Sequence, residues 1–158
     1  MSDTPIDQTS FTATVSVDQT PDDVFQAITN VRGWWSENIE GGTEALGDEF
    51  TYRHKDLHRC TIRVTEVVPG TRVVWRVLDN YFTFTDDTSE WTGTEIRFEI
   101  VAKDATTEIR FTHLGLVPEY ECFDVCSNSW DFYLHTSLRG LIRTGRGLPN
   151  QKEQGASV

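Results

Sequence analysis

Between residues 48 and 116 the chain alternates apolar and polar side chains in one segment after another, and after Pro118 the alternation gives way to a helical period. No other feature narrows the fold as much. DEFTYRH puts Phe50 and Tyr52 on one face. RCTIRVTEVVPG does the same with Cys60, Ile62 and Val64 and ends at a Pro-Gly turn. TRVVWRVLDN groups Val73, Trp75 and Val77 with Arg76 opposite. TEIRFEIVAKD sets Ile96, Phe98 and Ile100 against Glu95, Arg97 and Glu99, and EIRFTHLGL sets Ile109 and Phe111 against Glu108, Arg110 and Thr112. One wet face and one apolar face throughout predict an antiparallel sheet with one side solvated.

Past Pro118, the residues Phe123, Cys126, Trp130, Tyr133 and Leu141 recur at helical spacing, and Leu134 and Leu138 widen the stripe. Glu119, Glu121 and Asp124 stand near the start; Arg139, Arg143 and Arg146 stand near the end. Both groups complement a helix dipole. Gly145, Gly147 and Pro149 stop the helix, which is therefore roughly 25 residues long, or about 37 Å. A sheet with one apolar face needs a cover, and this helix is the only element large enough to be one.

Ahead of the sheet, FTATVSVD alternates strictly, with Phe11, Ala13, Val15 and Val17 on one side. In QTPDDVFQAITN, Thr20 caps a short helix, Pro21 takes its first position, and Asp22 and Asp23 sit at its positive end. GWWSENIEGG then turns the chain while carrying two very large side chains. The class is α+β: a strand, two short helices, a run of antiparallel strands and one long helix. A twisted sheet wrapped round one rod is hard to fill everywhere, which predicts a cavity lined by Trp34, Trp35, Trp75, Phe98, Phe111 and Trp130.

The chain has 158 residues, enough for one domain with a substantial core. Residues 10–149 are expected to form it, with polar, frayed termini at 1–9 and 150–158. A net charge of -11 repels phosphate backbones, so neither nucleic acid nor an anionic membrane is an expected partner. No window approaches the ~20 apolar residues of a membrane span. MSDTPIDQTS carries no basic cluster and no apolar run, so no secretory signal is expected. Three cysteines are too few for a disulfide framework. A reduced, cytoplasmic protein fits best, and a homodimer is left open.

The opening FTATVSVDQTPDDVFQAIT, the GWW turn at Gly33 to Trp35, FTFTDDTSEWTGTEIRFEI and HLGLVPEYECFDVCSNSW together resemble the SRPBCC superfamily. This is the START-like, helix-grip fold also called birch-pollen-allergen-like. Within it the chain is most similar to bacterial homologues of the activator of heat-shock protein 90 ATPase, over roughly residues 10–149. The resemblance implies a curved antiparallel sheet gripping a long C-terminal helix, with a ligand cavity beneath that helix. It does not carry chaperone activation, for which the eukaryotic activators have a further N-terminal domain.

Several side chains admit chemistry. Cys122 and Cys126 share a helix face at i and i+4, and with His113 they could supply three metal ligands. No CxxC pair, HExxH or fourth spaced ligand supports that, and a buried thiol is the simpler role. Neither metal nor cofactor is expected. His113 shares parity with Ile109 and Phe111 and so faces inward, either as a general base or as a core histidine bonded to a backbone carbonyl. Glu66 and His54 continue inward parities at strand ends, where a solvated rim position is the competing assignment. No nucleophile elbow or triad order accompanies them. Trp91, on a long hairpin, is expected to lie over the cavity mouth.

The resulting functional expectation is binding of an apolar or aromatic small molecule. The wall would comprise Trp34, Trp35, Tyr52, Trp75, Trp91, Phe98, Phe111, His113, Cys126, Trp130 and Tyr133, with His113, Tyr52 and Tyr133 as polar anchors. Two rivals are kept. One is a polyketide-cyclase-like enzyme using His113 with Glu66; the other is a protein-interaction module related to the chaperone activators. Enzymatic activity is less favoured than binding alone, and the polar outer face of the strands argues against an exposed apolar docking patch there.

Overall fold

A computed structural model describes residues 10–54, 58–83, 91–117 and 123–149. Strand β1 (Phe11–Val17) leads into helix α1 (Pro21–Thr29) and the short helix α2 (Val31–Trp34). The strands β2 (Ile39–Gly41), β3 (Glu49–His54), β4 (His58–Val68), β5 (Arg72–Phe82), β6 (Glu95–Ala102) and β7 (Thr107–Leu114) follow. The C-terminal helix consists of α3 (Phe123–Phe132), a π segment (Tyr133–Leu138) and α4 (Arg139–Thr144). Among the described residues the strands form one seven-stranded sheet in the order β1-β7-β6-β5-β4-β3-β2, and every neighbouring pair is antiparallel. The arrangement is the helix grip: a curved sheet closed on its apolar side by the C-terminal helix.

Local chemistry sets the start. Thr20 caps α1 by accepting from the Asp23 amide at 3.1 Å, with Pro21 at the first position and two aspartates in the first turn. The helix buries Val24, Phe25, Ala27 and Ile28. Its end runs directly into α2, so the GWW segment is a helical turn: Trp34 ends α2 and Trp35 is its C-cap. The Trp34 indole N–H donates to the Ile28 carbonyl at 3.1 Å, tying the two short helices together.

The C-terminal helix differs from a regular α-helix in its middle. Its buried residues include Cys126, Trp130, Leu134, Leu138 and Ile142, spaced four apart. At 3.6 residues per turn, a four-residue step drifts by about 40° each time, and such a stripe would rotate off the sheet. The wider π turn over Tyr133–Leu138 takes up that drift. Ser137 is drawn fully inside. Its hydroxyl donates to the Trp34 carbonyl at 2.7 Å and accepts from the Leu148 amide at 2.7 Å, stapling both α2 and the chain's exit to the helix. Gly147 passes so close to α2 that a side chain there would run into the Gly33 carbonyl. Tyr133 and Leu141, expected to face the core, are only half-buried at its edge.

Two bulges change the sheet's parity. Between β4 and β5, Thr61 faces Asp79 and Ile62 faces Val77, so Leu78 is the extra residue; Val64 faces Trp75 and Glu66 faces Val74, so Thr65 is the extra residue. Each insertion turns the following side chains to the opposite face. Val67 therefore packs on the core, and Glu66 points to solvent.

Candidate functional site

The space predicted under the helix is largely filled by its own predicted walls. Trp34, Trp75, Phe98 and Phe111 are buried to 1% exposure or less and pack on one another. Trp75 stacks on Trp34 at 6.4 Å and meets Phe98 edge-on at 4.9 Å, and Phe98 meets Phe111 at 5.2 Å. Offset and edge-on ring pairs of this kind stabilise a core beyond their buried area. These four rings are core and do not line the open space.

What stays open is a cleft of about 200 Å³ at the other end of the helix. Trp35, Tyr52 of β3, His58 of β4, Phe82 of β5 and Trp91 form its sheet side; Val125, Cys126, Ser129, Trp130 and Tyr133 form its helix side. Of the predicted wall, Trp35, Tyr52, Trp91, Cys126, Trp130 and Tyr133 meet here. Trp35 stacks on Tyr52 at 4.4 Å, and Trp130 lies 5.2 Å from Trp35. Trp91 stands parallel to Trp130 within 8°, with centroids 5.9 Å apart. The rings of His58, Phe82 and Trp91 pack edge-on or tilted around one another.

Trp91 is a wall rather than a cover over the mouth. It is 4% exposed and held by its backbone. Its carbonyl accepts from both the amide and the hydroxyl of Thr94, at 3.0 and 2.6 Å, and the neighbouring Gly93 amide reaches the Val77 carbonyl of β5. The remainder of this hairpin, 84–90, lies outside the described residues. The indole N–H of Trp91 is buried and has no hydrogen-bond partner among the described residues. An orphaned buried donor costs about 1–3 kcal/mol.

His113 faces inward, as its parity predicts, yet it lies behind the wall and outside the cleft lining. Its Nδ1 accepts from the Trp130 indole N–H at 3.1 Å. Indole nitrogen only donates, so Nδ1 carries no proton and Nε2 must carry it. Nε2–H then donates to Thr94 Oγ1 at 2.8 Å, and the Thr94 hydroxyl passes its own hydrogen to the Trp91 carbonyl. The partner is thus a side-chain hydroxyl in place of the expected backbone carbonyl. Burial, with the nearby His58 second, lowers the His113 pKa to about 3. The imidazole is neutral at physiological pH, and both nitrogens are committed to fixing Trp130 and the Trp91 turn.

The pairing of His113 with Glu66 is not assembled. The Thr65 bulge leaves the Glu66 side chain 47% exposed, where it meets Arg72 at 3.2 Å. His54 ends β3, and its side chain lies outside the described residues, as does Cys122. Cys60 and Cys126 are buried free thiols. Burial first, then Asp79 and Cys126, pushes the Cys60 thiol far above its ordinary range, so it is a poor nucleophile or ligand. Among the described residues no group of three His, Cys, Asp or Glu side chains could hold a metal ion.

Four lining residues, His58, Phe82, Val125 and Ser129, were missed in the sequence. His58 shares parity with Cys60 and Ile62, so the signal was present. Phe82 was hidden by the Leu78 bulge, which turns Asn80 and Phe82 inward in place of Asp79 and Tyr81. Val125 and Ser129 lie one turn apart beside the apolar stripe of the helix, where the helical pattern gives no signal. His58 Nε2 lies 2.7 Å from Asn80 Oδ1; amide oxygen only accepts, so Nε2 donates.

No helix among the described residues is long and apolar enough to cross a membrane. No curated protein matches the chain. Its fold is similar to that of the Aha1 dimer from Colwellia psychrerythraea, with 23% identity, TM-score 0.70, and coverage of 87% of this chain and 98% of that one. It is also similar to DynU16, a protein of the dynemicin biosynthetic locus (18% identity, TM-score 0.63, 86% of this chain and 48% of that one). A third likeness is to MLL2253 from Mesorhizobium loti (14% identity, TM-score 0.61, 78% and 91%). The family described as Activator of Hsp90 ATPase homolog 1-like protein matches residues 18–143, and the chain belongs to it.

Proposed function

We propose that the protein binds a small aromatic or apolar molecule in the cleft between its C-terminal helix and strands β3 to β5. One observation carries the reading: six aromatic side chains, Trp35, Tyr52, Phe82, Trp91, Trp130 and Tyr133, converge on an open space with few polar groups. Size limits the ligand. An apolar cavity of about 150 Å³ is enough for benzene, so about 200 Å³ holds one ring with a few substituents. A sterol or a folded polyketide chain does not fit.

A cyclase-like reaction through His113 and Glu66 finds no support, since one is buried with both nitrogens used and the other faces solvent. Homodimer formation stands as a second reading. The Colwellia psychrerythraea relative was solved as a dimer, and Val125, Phe132 and Leu148 are exposed apolar side chains here. Light scattering at micromolar concentration decides it, with a monomer mass counting against it. Buried free thiols suit a reducing compartment such as the cytoplasm.

The test of the main reading is a thermal-shift panel of toluene, naphthalene, laurate and a sterol. A ligand at 100 times its Kd stabilises the fold by about 2.7 kcal/mol. Toluene or naphthalene should raise Tm while the sterol leaves it unchanged, and Ser129→Trp, which fills the cleft, should abolish the rise. No stabilisation by either aromatic would overturn the proposal.

A further inference from the structure

A second feature lies outside the cleft, on the outer face of the C-terminal helix. His135, Thr136, Arg139, Gly140, Arg143 and Thr144 line a surface groove of about 230 Å³ there. We infer that this groove docks an acidic segment of a partner protein, two of whose carboxylates pair with Arg139 and Arg143. The cleft takes no part in it.

Charge carries the assignment. Arg63, Arg72, Arg76, Arg97 and Arg110 pair with glutamates of the sheet, and Arg32 donates to the Ile39 and Gly41 carbonyls. Arg139, Arg143 and Arg146, by contrast, are exposed and form no ion pair or side-chain hydrogen bond among the described residues. A helix dipole favours cations in the last turn only. It accounts for Arg143 and leaves Arg139 unexplained. In a chain of net charge -11, an unpaired basic row is where an acidic segment gains most. The acidic remainder of the surface does not cancel that gain. Screening in physiological salt acts over about 8 Å, and the preceding carboxylate on the helix, Asp131, stands two turns before Arg139, farther than that along the axis.

Spacing describes the occupant further. Arg139 and Arg143 are one turn apart in α4, about 6 Å along the axis. Alternate residues of an extended chain lie about 6.6 Å apart on one side. Two carboxylates with one residue between them therefore meet both guanidinium forks, the geometry that makes charge-assisted pairs strong. The Thr136 hydroxyl has no hydrogen bond among the described residues and is free to donate to the same segment. One turn before Thr136, the Phe132 ring is 44% exposed and offers an apolar contact at the head of the row.

The probe is the peptide Leu-Ser-Glu-Ser-Glu-Ser-Leu, capped at both ends, whose symmetry serves either direction of docking. The same peptide with Gln for Glu is the control. Titration is followed in ¹⁵N–¹H spectra, which give both the dissociation constant and the place of binding. Amides between residues 132 and 146 should shift with the Glu peptide and far less with the Gln peptide. Arg139→Gln together with Arg143→Gln should weaken binding about 2- to 30-fold, the range of two exposed ion pairs. Both side chains are exposed, so the variant keeps its fold, and unchanged signals elsewhere in the spectrum check this. Added salt should weaken binding to wild type more than to the variant. No binding of the Glu peptide at millimolar concentration would overturn the inference, as would equal affinity for the Gln peptide, equal affinity of the variant, or shifts confined to other residues. Inorganic phosphate binding as tightly as the peptide would make the groove a simple anion site. A dimer that is lost in the variant would assign it to a second copy of the chain. Either result would also overturn docking of an acidic partner.

Discussion

Acid should destabilise this protein through His113 in a measurable and removable way. The folded imidazole has a pKa of about 3 because it is buried beside His58, against 6.5 for the ordinary side chain. Between those values the unfolded chain binds a proton that the folded chain does not, so stability falls as pH falls. The contribution is whole above pH 6.5, erodes below it and is exhausted near pH 3. At pH 5 the unfolded imidazole lies about 1.5 pH units below its pKa while the folded one is still neutral. At about 1.4 kcal/mol per unit, His113 removes on the order of 2 kcal/mol between pH 7 and pH 5. In urea, with a slope of about 1–3 kcal/mol per molar, the midpoint shifts by about 1 M. His113→Asn keeps an acceptor for Trp130 but cannot titrate. It should be less stable at pH 7 by about 1–3 kcal/mol, because the Thr94 hydroxyl loses its donor, and its stability should fall less steeply with acid. The assay is urea unfolding followed by tryptophan fluorescence at pH 7, 6 and 5, above the range where most carboxylates titrate. Parallel loss of stability in the two proteins would refute the argument, as would NMR titration of the folded His113 ring with a midpoint above pH 5.

Other perturbations follow from the same geometry. Thr94→Val removes the hydroxyl between His113 and the Trp91 carbonyl and should lower stability by about 1–3 kcal/mol; a double-mutant cycle with His113→Asn should show the two losses to be non-additive. Ser137→Ala releases both the Trp34 carbonyl and the Leu148 amide and should lower the urea midpoint by a similar energy, seen by the same fluorescence assay. Glu66→Gln should leave toluene binding unchanged by calorimetry, because the side chain is exposed and paired with Arg72; an exposed ion pair contributes about 0–1 kcal/mol, so Tm should barely move.

The alternation of residues 48–116 and the change of period after Pro118 were sufficient to specify an antiparallel sheet covered by one helix. Strand periodicity and helix caps are local properties, visible wherever apolar residues repeat at two or 3.6. Thr20, Pro21 and the aspartates after them placed α1 for the same reason. The inward direction of His113, Tyr52 and Trp130 was legible too, because each continues an unbroken pattern. The site was only half legible. Bulges at Thr65 and Leu78 turned Glu66 out and Phe82 in, and a single inserted residue leaves no mark in the composition of a strand. The π segment drew Ser137 inward and left Tyr133 and Leu141 at the core's edge. Which large rings fill the interior and which border empty space was settled by tertiary packing alone. Trp34 and Trp35 are neighbours in the chain with the same side chain, yet one is sealed among Trp75 and Phe98 and the other faces the cleft. Adjacent residues project in different directions, and only the positions of the elements around them decide which direction holds atoms and which holds a ligand-sized gap.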